Sequence, residues 1–113
     1  MARIGIYVPK FQRVGSESKL TEIDPVIFRK ETLNICKLLT YLCGGCNSFE
    51  TTGYYKFPDG FFSESPSMEI YCFVDDKKVH DVATALKPLI VDIRLRLGQT
   101  NIGMYIDNKY ISI

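Results

Sequence analysis

The chain has 113 residues and a formal net charge of +1, with 46% hydrophobic and 24% charged residues. This length predicts one domain, spanning residues 1–113, with a core that needs no metal or disulfide. The near-neutral charge gives no support to binding of nucleic acid or of an anionic membrane surface. No apolar run approaches the length that crosses a bilayer, and no signal-peptide pattern follows Met1, so the expected compartment is the cytoplasm.

Periodic patterns divide the first half of the chain into a strand, a connection and a helix. Residues 3–8 alternate, which predicts a strand, and the polar stretch 9–23 is predicted as a long connection. Asp24 and Pro25 favour a helix start, because aspartate accepts from unpaired amides and proline is tolerated in the first turn. Gly44 favours the helix end. The residues expected on the core face of this helix are Phe28, Thr32, Ile35, Leu39 and Leu42.

A hairpin is predicted next. Residues 46–57 and 67–74 each alternate between two faces, as strands do. Pro58-Asp59-Gly60 has turn chemistry, because proline fixes φ and glycine accepts a positive φ. We therefore expect two antiparallel strands joined by a wide tip.

A second helix and a last strand complete the pattern. Apolar residues recur at helical spacing over 79–97. Pro88 lies inside this run and cannot donate within a helix, so we expect a kink or break near residues 84–87. Residues 101–106 alternate again, and residues 110–113 are a candidate for a short extra strand.

The resulting order, β-α-β-β-α-β, predicts an α+β fold of the ferredoxin-like type, with a four-stranded antiparallel sheet and two helices on one face. The other face would carry an aromatic set too large to be left in water. Its cover could be stacked RNA bases, a planar ligand or the same face of other subunits. Few lysines or arginines lie on the strands, which disfavours RNA and favours self-association. The aromatic set comprises Tyr7, Tyr71, Phe73 and Tyr105.

The chain has four cysteines, Cys36, Cys43, Cys46 and Cys72. The C-x-x-C spacing of Cys43 and Cys46 suits a redox pair or half of a zinc site. The remaining ligand candidates, including His80, stand at spacings that do not suit zinc. Cys36 and Cys43 share an apolar helical face, so we expect cysteines that pack in the core, with neither metal nor cofactor.

Residues that could carry chemistry concentrate in the hairpin. The sequence has no Ser-His-Asp set, P-loop or glycine-rich dinucleotide motif. Tyrosine hydroxyls together with Glu64 or Glu69 could hold an ammonium or sulfonium cation through hydrogen bonds, Coulomb attraction and cation–π contact. By residue type alone, a solvated hairpin with Glu64 on the surface is the alternative.

The segment Glu-Thr-Thr-Gly-Tyr-Tyr at 50–55, followed by the hairpin tip and a glutamate before a strand and a helix, resembles the phage-type S-adenosylmethionine lyases. Gly53 and Tyr55 match the family's Thr-Gly-x-Tyr pattern. Glu64 is the nearest match for its glutamate, and Glu69 is the alternative. The resemblance covers about residues 48–106. The Gly-Gly, Gly-Tyr and terminal-strand pattern also resembles many small phage and bacterial proteins, and that second resemblance implies no activity.

This resemblance implies a ferredoxin-like homotrimer related in shape to PII signalling proteins. It also implies a carbon–sulfur lyase without a cofactor, acting on S-adenosylmethionine or on its nucleotide conjugate. The substrate's carboxylate would displace the sulfonium, giving a methylthioadenosine-type product and homoserine lactone. Tyr55 and Glu64 would be the catalytic residues, holding the ammonium and shaping the field at the sulfonium. The substrate-binding residues would be Tyr54, Glu69, Gln99, Lys10 and Arg13, the two basic residues reaching a phosphate of a conjugate.

A second hypothesis is a non-catalytic PII-like trimer that binds or sequesters a nucleotide signal in its subunit clefts. The expected partners are a small-molecule adenosyl ligand and other copies of the chain, with no nucleic acid and no membrane. The resemblance implies a role in phage biology or anti-phage defence.

Overall fold

The computed structural model describes residues 1–14, 19–56, 58, 60 and 62–113, and the side chains of these residues except at positions 13, 14, 19, 55, 62 and 63. The described elements follow in chain order: β1 (Ala2–Pro9), β2 (Phe11–Val14), β3 (Lys19–Glu22), α1 (Pro25–Cys43), β4 (Asn47–Lys56), β5 (Phe62–Val74), a 3₁₀ turn (Asp76–Lys78), α2 (Val79–Arg96), β6 (Gly103–Ile106) and β7 (Lys109–Ser112).

The main sheet has the strand order β4-β5-β1-β6-β7, and each neighbouring pair is antiparallel. With two helices on one face, it confirms the predicted α+β, ferredoxin-like fold. The predicted count of four strands is wrong, because β7 adds a fifth. Asp107, at a φ of 52°, turns the chain so that β7 pairs with the edge of β6. The short extra strand expected at 110–113 therefore exists, displaced by one residue.

The stretch predicted as a connection forms a second, two-stranded sheet. Phe11 pairs with Glu22, and the pairing continues to the ends of β2 and β3. The amide of Ile23 donates to the carbonyl of Lys10 at 2.9 Å, which closes the base of this hairpin. Ile23 is buried in the core and anchors the base of the hairpin there. We call β2 and β3 together the arm.

Helix α1 begins and ends where the sequence predicts. The amide of Val26 donates to Asp24 Oδ1 at 2.8 Å, and Gly44 takes the left-handed conformation at a φ of 86°. Four of the five predicted core residues are buried, and Leu42 is partly buried. Glu31 is also buried, where it accepts from Arg96 of α2 at distances from 2.9 to 3.1 Å.

Helix α2 continues through Pro88 without a break near residues 84–87, while a kink there stays a prediction. Thr84 and Pro88 lie on the exposed side of the helix, where the carbonyl that loses its partner can bind water. Leu86, Ile90 and Ile93 on the opposite side are fully buried and hold the helix to the sheet. Among the described residues, neither helix combines the length and the apolar character needed to cross a bilayer.

Candidate functional site

Glu64 lies inside a strand rather than in the hairpin tip. β5 begins at Phe62, five residues before the predicted start at Ser67. Pro66 does not end the strand, because its carbonyl still accepts, from the amide of Lys10 at 3.0 Å. The register places Glu64 directly opposite Tyr54 on β4, so these two exposed residues share one side of the hairpin.

Glu64 borders a cavity of about 320 Å³ between the arm and the main sheet, which we call the arm pocket. Phe11 and Leu20 contribute from the arm, and Gln99 contributes from the loop after α2. This volume lies at the lower end of the range typical of small-molecule sites. The structure therefore brings two predicted site residues, Glu64 and Gln99, to one cavity.

The end of α2 fixes the position of Gln99. Gly98, at a φ of 63°, ends the helix, and the amide of Gln99 returns to the carbonyl of Arg94 at 2.9 Å. Gln99 Nε2 then donates to the carbonyls of Phe11 at 2.8 Å and Leu97 at 3.2 Å. Gln99 thus joins the arm to the helix end, at the wall of the arm pocket.

Glu69, the alternative carboxylate, lies on the face of the sheet away from the helices, which we call the outer face. Its Oε2 accepts from Tyr105 Oη at 2.7 Å and from Arg3 Nη2 at 2.8 Å, and Arg3 Nε donates to Tyr105 Oη at 2.9 Å. The side chain of Glu69 is only 8% exposed. Burial, and then the hydrogen bond with Glu69, raise the pKa of Tyr105 to about 12. This closed triangle makes Glu69 a structural partner of β1 and β6.

The triangle extends into the aromatic set predicted for the outer face. The Arg3 guanidinium lies 3.9 Å from the ring centre of Tyr71, and the rings of Tyr7 and Tyr105 are 5.5 Å apart. Gly5 provides the space beneath Tyr105, because a Cβ there would collide with that ring. Phe73 is half exposed, whereas the other three predicted rings are partly buried.

Tyr7 and Tyr110 connect the two sites. Both line the arm pocket, and both also line a shallower cavity of about 380 Å³ over Arg3 and Glu69 on the outer face. Glu64 borders the first cavity and Glu69 the second, so the structure separates the two carboxylates that the sequence left as alternatives.

The remaining predicted site residues lie elsewhere or outside the described side chains. Lys10 forms an ion pair with Glu50 and borders a third cavity of about 170 Å³, away from Glu64. The side chains of Arg13 and Tyr55 lie outside the described residues. The backbone of Tyr55 pairs with Ser63, one step along from the Tyr54–Glu64 pair.

All four cysteines are free thiols that belong to the core or pack against it, which confirms the packing prediction. Burial raises the pKa of Cys72 to about 12 and that of Cys36 to about 11, with smaller increases from neighbouring thiols. Among the described residues, no cluster of histidine, cysteine or carboxylate side chains is arranged to hold a metal ion.

Sequence reasoning missed the arm and the residues it brings to the pocket. Phe11 and Leu20 belong to a stretch interpreted as a connection, and Tyr110 belongs to a strand that was only a candidate. Leu20 and Thr21 are adjacent between Lys19 and Glu22, so the arm lacks the alternation that indicates a strand. Tyr7 was predicted on the outer face, but its sequence position gives no sign that it reaches a second cavity.

Two solved structures share this fold over nearly the whole chain. A phage SAM lyase in complex with S-methyl-5'-thioadenosine has a TM-score of 0.58 and 16% sequence identity, with 99% of this chain and 88% of that chain covered. A phage SAM lyase in the apo state has a TM-score of 0.55 and 16% identity, with coverages of 99% and 86%. No family model and no curated protein matches the sequence. At this identity the likeness establishes a common fold, and it confirms the fold that the sequence resemblance implied.

Proposed function

We propose that this protein is a lyase that degrades S-adenosylmethionine, or a nucleotide conjugate of it, without a cofactor. The observation that carries the proposal is the fold, shared over 99% of the chain with a phage SAM lyase whose structure contains S-methyl-5'-thioadenosine. The arm pocket supports it, because a cavity of small-molecule size is bordered by Glu64, the nearer of the two matches for the family's glutamate.

The proposed reaction is an intramolecular displacement. A carboxylate oxygen of the methionyl group attacks its own γ-carbon, the bond from that carbon to sulfur breaks, and the electron pair leaves with sulfur. The products are homoserine lactone and neutral methylthioadenosine, and no proton is transferred. The reaction therefore needs a folded substrate more than a strong base, so positioning supplies most of the catalysis.

Glu64 is the proposed partner for the positive charges of such a substrate. Its carboxylate is exposed at the border of the arm pocket. There it would hold the ammonium group and affect the field around the sulfonium as that charge disappears. Tyr54, directly opposite Glu64, and Gln99, at the pocket wall, would contact the substrate. Tyr55 would act with Glu64 on the ground of the motif resemblance, since the neighbouring strand position does not by itself bring the two together.

The other predicted contacts belong to the same proposal with less direct support. The carboxylate of Glu69 is already hydrogen-bonded to Arg3 and Tyr105. Glu69 would therefore help to form the wall of the neighbouring outer-face cavity without pairing with a charge of the substrate. Lys10 and Arg13 would contact a phosphate only in a conjugate, and Lys10 would first have to leave Glu50.

The assembly is proposed to be a homotrimer in which outer faces cover one another, with backbone from an adjacent subunit holding the adenine. The half-exposed Phe73, at the margin of the partly buried rings, supports a covered face. Sedimentation equilibrium tests this directly, and we expect a mass of three chains. A monomer at micromolar concentration would contradict it and would favour RNA stacking on the outer face instead.

The activity is tested by incubating the purified protein with S-adenosylmethionine and separating the products by chromatography with mass detection. We expect methylthioadenosine and homoserine lactone in equal amounts. If neither forms at high protein concentration, the lyase proposal is wrong for the unmodified substrate. Calorimetric binding of S-adenosylmethionine without product would support the PII-like binding hypothesis.

The residue assignment is tested with Glu64→Gln and Tyr55→Phe. Each should lower kcat by about 10²-fold, because each removes a charge or donor acting at the reacting centre, and neither should change the sedimentation mass. Glu50→Gln, the same change on β4 but outside the arm pocket, is the matched control with unchanged kcat. Unchanged rates in both site variants would reject the assignment while leaving the lyase proposal open.

A further inference from the structure

The sulfur atoms of the four cysteines lie close together where the end of α1 meets the sheet. Cys43 Sγ and Cys72 Sγ are 3.5 Å apart, although 29 positions separate them in sequence. Cys46 contacts other atoms, with its Sγ 3.6 Å from the carbonyl oxygen of Cys36 and 3.7 Å from Thr40 Oγ1. The two cysteines of the C-x-x-C motif therefore have different nearest partners.

We propose that Cys43 and Cys72 are an oxidation site, which forms a disulfide with a two-electron oxidant of the peroxide class. The C-x-x-C pair, Cys43 with Cys46, is the pairing that the sequence alone would select. The structure favours the long-range pair, because the two sulfurs already approach within a short movement of bonding distance.

The chemistry balances with one peroxide for each disulfide. Cys43, the more accessible of the two thiols, attacks the peroxide as its thiolate, forming a sulfenic acid and hydroxide. Cys72 then releases its proton and attacks the sulfenic sulfur as a thiolate, the S–S bond forms as the S–O bond breaks, and the departing hydroxide takes up a proton to become water. In total, two thiols lose two electrons and two protons, and the peroxide becomes two waters.

The second step is expected to be the slower one. Burial, with a further contribution from Cys43, raises the pKa of Cys72 to about 12, so little of it is thiolate at neutral pH. Disulfide formation should therefore accelerate as the pH increases from 7 to 9.

The crosslink would join the last residue of α1 to β5 and close a loop over residues 43–72, which contains the β4–β5 hairpin. Glu64 lies eight residues from Cys72 along β5, a distance of about 26 Å at 3.3 Å per strand residue. The oxidation site is therefore separate from the arm pocket, and its test does not depend on the proposed activity.

The test uses the reduced full-length chain, treated with hydrogen peroxide, alkylated, digested with trypsin and analysed by mass spectrometry. Cleavage at lysine and arginine places Cys43 and Cys46 in peptide 38–56 and Cys72 in peptide 57–77. We expect these two peptides joined by one disulfide whose fragment ions include Cys43. An internal disulfide in peptide 38–56, or no disulfide at all, would overturn the proposal.

Variants and stability give a second measurement. Cys43→Ser should abolish the crosslink, while Cys46→Ser and Cys36→Ser should retain it. Oxidised wild-type protein should melt about 10 °C above the reduced form, because a loop of this length loses entropy in the unfolded chain. If Cys43→Ser does not fold, the fragment ions of the wild-type crosslink still decide the pairing. Loss of the crosslink in Cys46→Ser would overturn it.

Discussion

The two faces of the main sheet are stabilised by different kinds of contact. On the covered face, Ile4, Ile6, Ile70 and Met104 are fully buried against helices by apolar packing that needs little directional precision. On the outer face, the buried carboxylate of Glu69 requires partners at fixed positions. The difference teaches that the covered face tolerates changes that conserve volume, whereas the outer face depends on individual atoms.

The largest expected effect is a cavity on the covered face. Ile6 lies on β1, the middle strand, and is fully buried, so Ile6→Ala should lower the free energy of unfolding by about 3 kcal/mol. Val26, which is 78% exposed in the first turn of α1, is the control, and Val26→Ala should cost below about 0.5 kcal/mol. Urea denaturation followed by circular dichroism measures both. Equal losses would show that the covered face is not the main source of stability.

The second effect compares a buried with an exposed ion pair. Glu69→Ala leaves Arg3 and Tyr105 without their shared acceptor, and should cost about 2 kcal/mol. Glu50, which is 73% exposed in its pair with Lys10, provides the matched change, and Glu50→Ala should cost at most about 1 kcal/mol. The same denaturation experiment decides between them. A larger loss for Glu50 would refute the idea that the outer face depends on its buried triangle.

The covered face could be predicted from sequence because it depends on periodicity. Alternation in β1 and the stripe of α1 identify residues such as Ile6 and Leu39, whose burial the structure confirms. The outer face could be predicted only as an aromatic set. Arg3, Glu69 and Tyr105 come from three strands, and their hydrogen bonds depend on a register that the sequence pattern does not specify.

The candidate site was predictable to a similar extent. The hairpin motif identified Glu64, but its contact with a cavity depends on the arm, whose strands are too short and polar to give a strong signal. The start of β5 was also predicted too late, because proline usually marks the end of a strand. Pro66 nevertheless remains inside β5, since its carbonyl can still accept a hydrogen bond from a neighbouring amide.

A third, smaller effect tests the close approach of backbone and ring on the outer face. Gly5→Ala introduces a Cβ that would collide with the ring of Tyr105, which must move away from Glu69, so we expect a loss of about 1.5 kcal/mol. At Gly45 an added Cβ meets no atom within 4 Å, so Gly45→Ala should change stability by below about 0.5 kcal/mol. Thermal melting measures both changes. Equal shifts in Tm would show that the ring of Tyr105 moves away from the added Cβ without loss of stability.

The smallest effect appears only at alkaline pH. The pKa of Tyr105 is raised to about 12 in the folded protein, above its ordinary value of 10, because burial and the hydrogen bond to Glu69 favour the protonated hydroxyl. Its contribution to stability is therefore complete below pH 10 and is lost as the pH rises from 10 to 12, where the unfolded chain has already released this proton.

Tyr105→Phe should consequently lose less stability than wild type over that pH interval. We expect a difference below about 1 kcal/mol, because the ring is only partly buried and solvent screens the interaction. Tyr41→Phe, at an exposed position on α1, should follow the wild-type curve and corrects for the thiols that titrate in the same interval. Urea denaturation at half-unit pH steps gives the three curves. If the Tyr105→Phe curve runs parallel to wild type, then the hydroxyl of Tyr105 is not selectively stabilised in its protonated form, and its hydrogen bond to Glu69 contributes nothing to the pH dependence of the outer face.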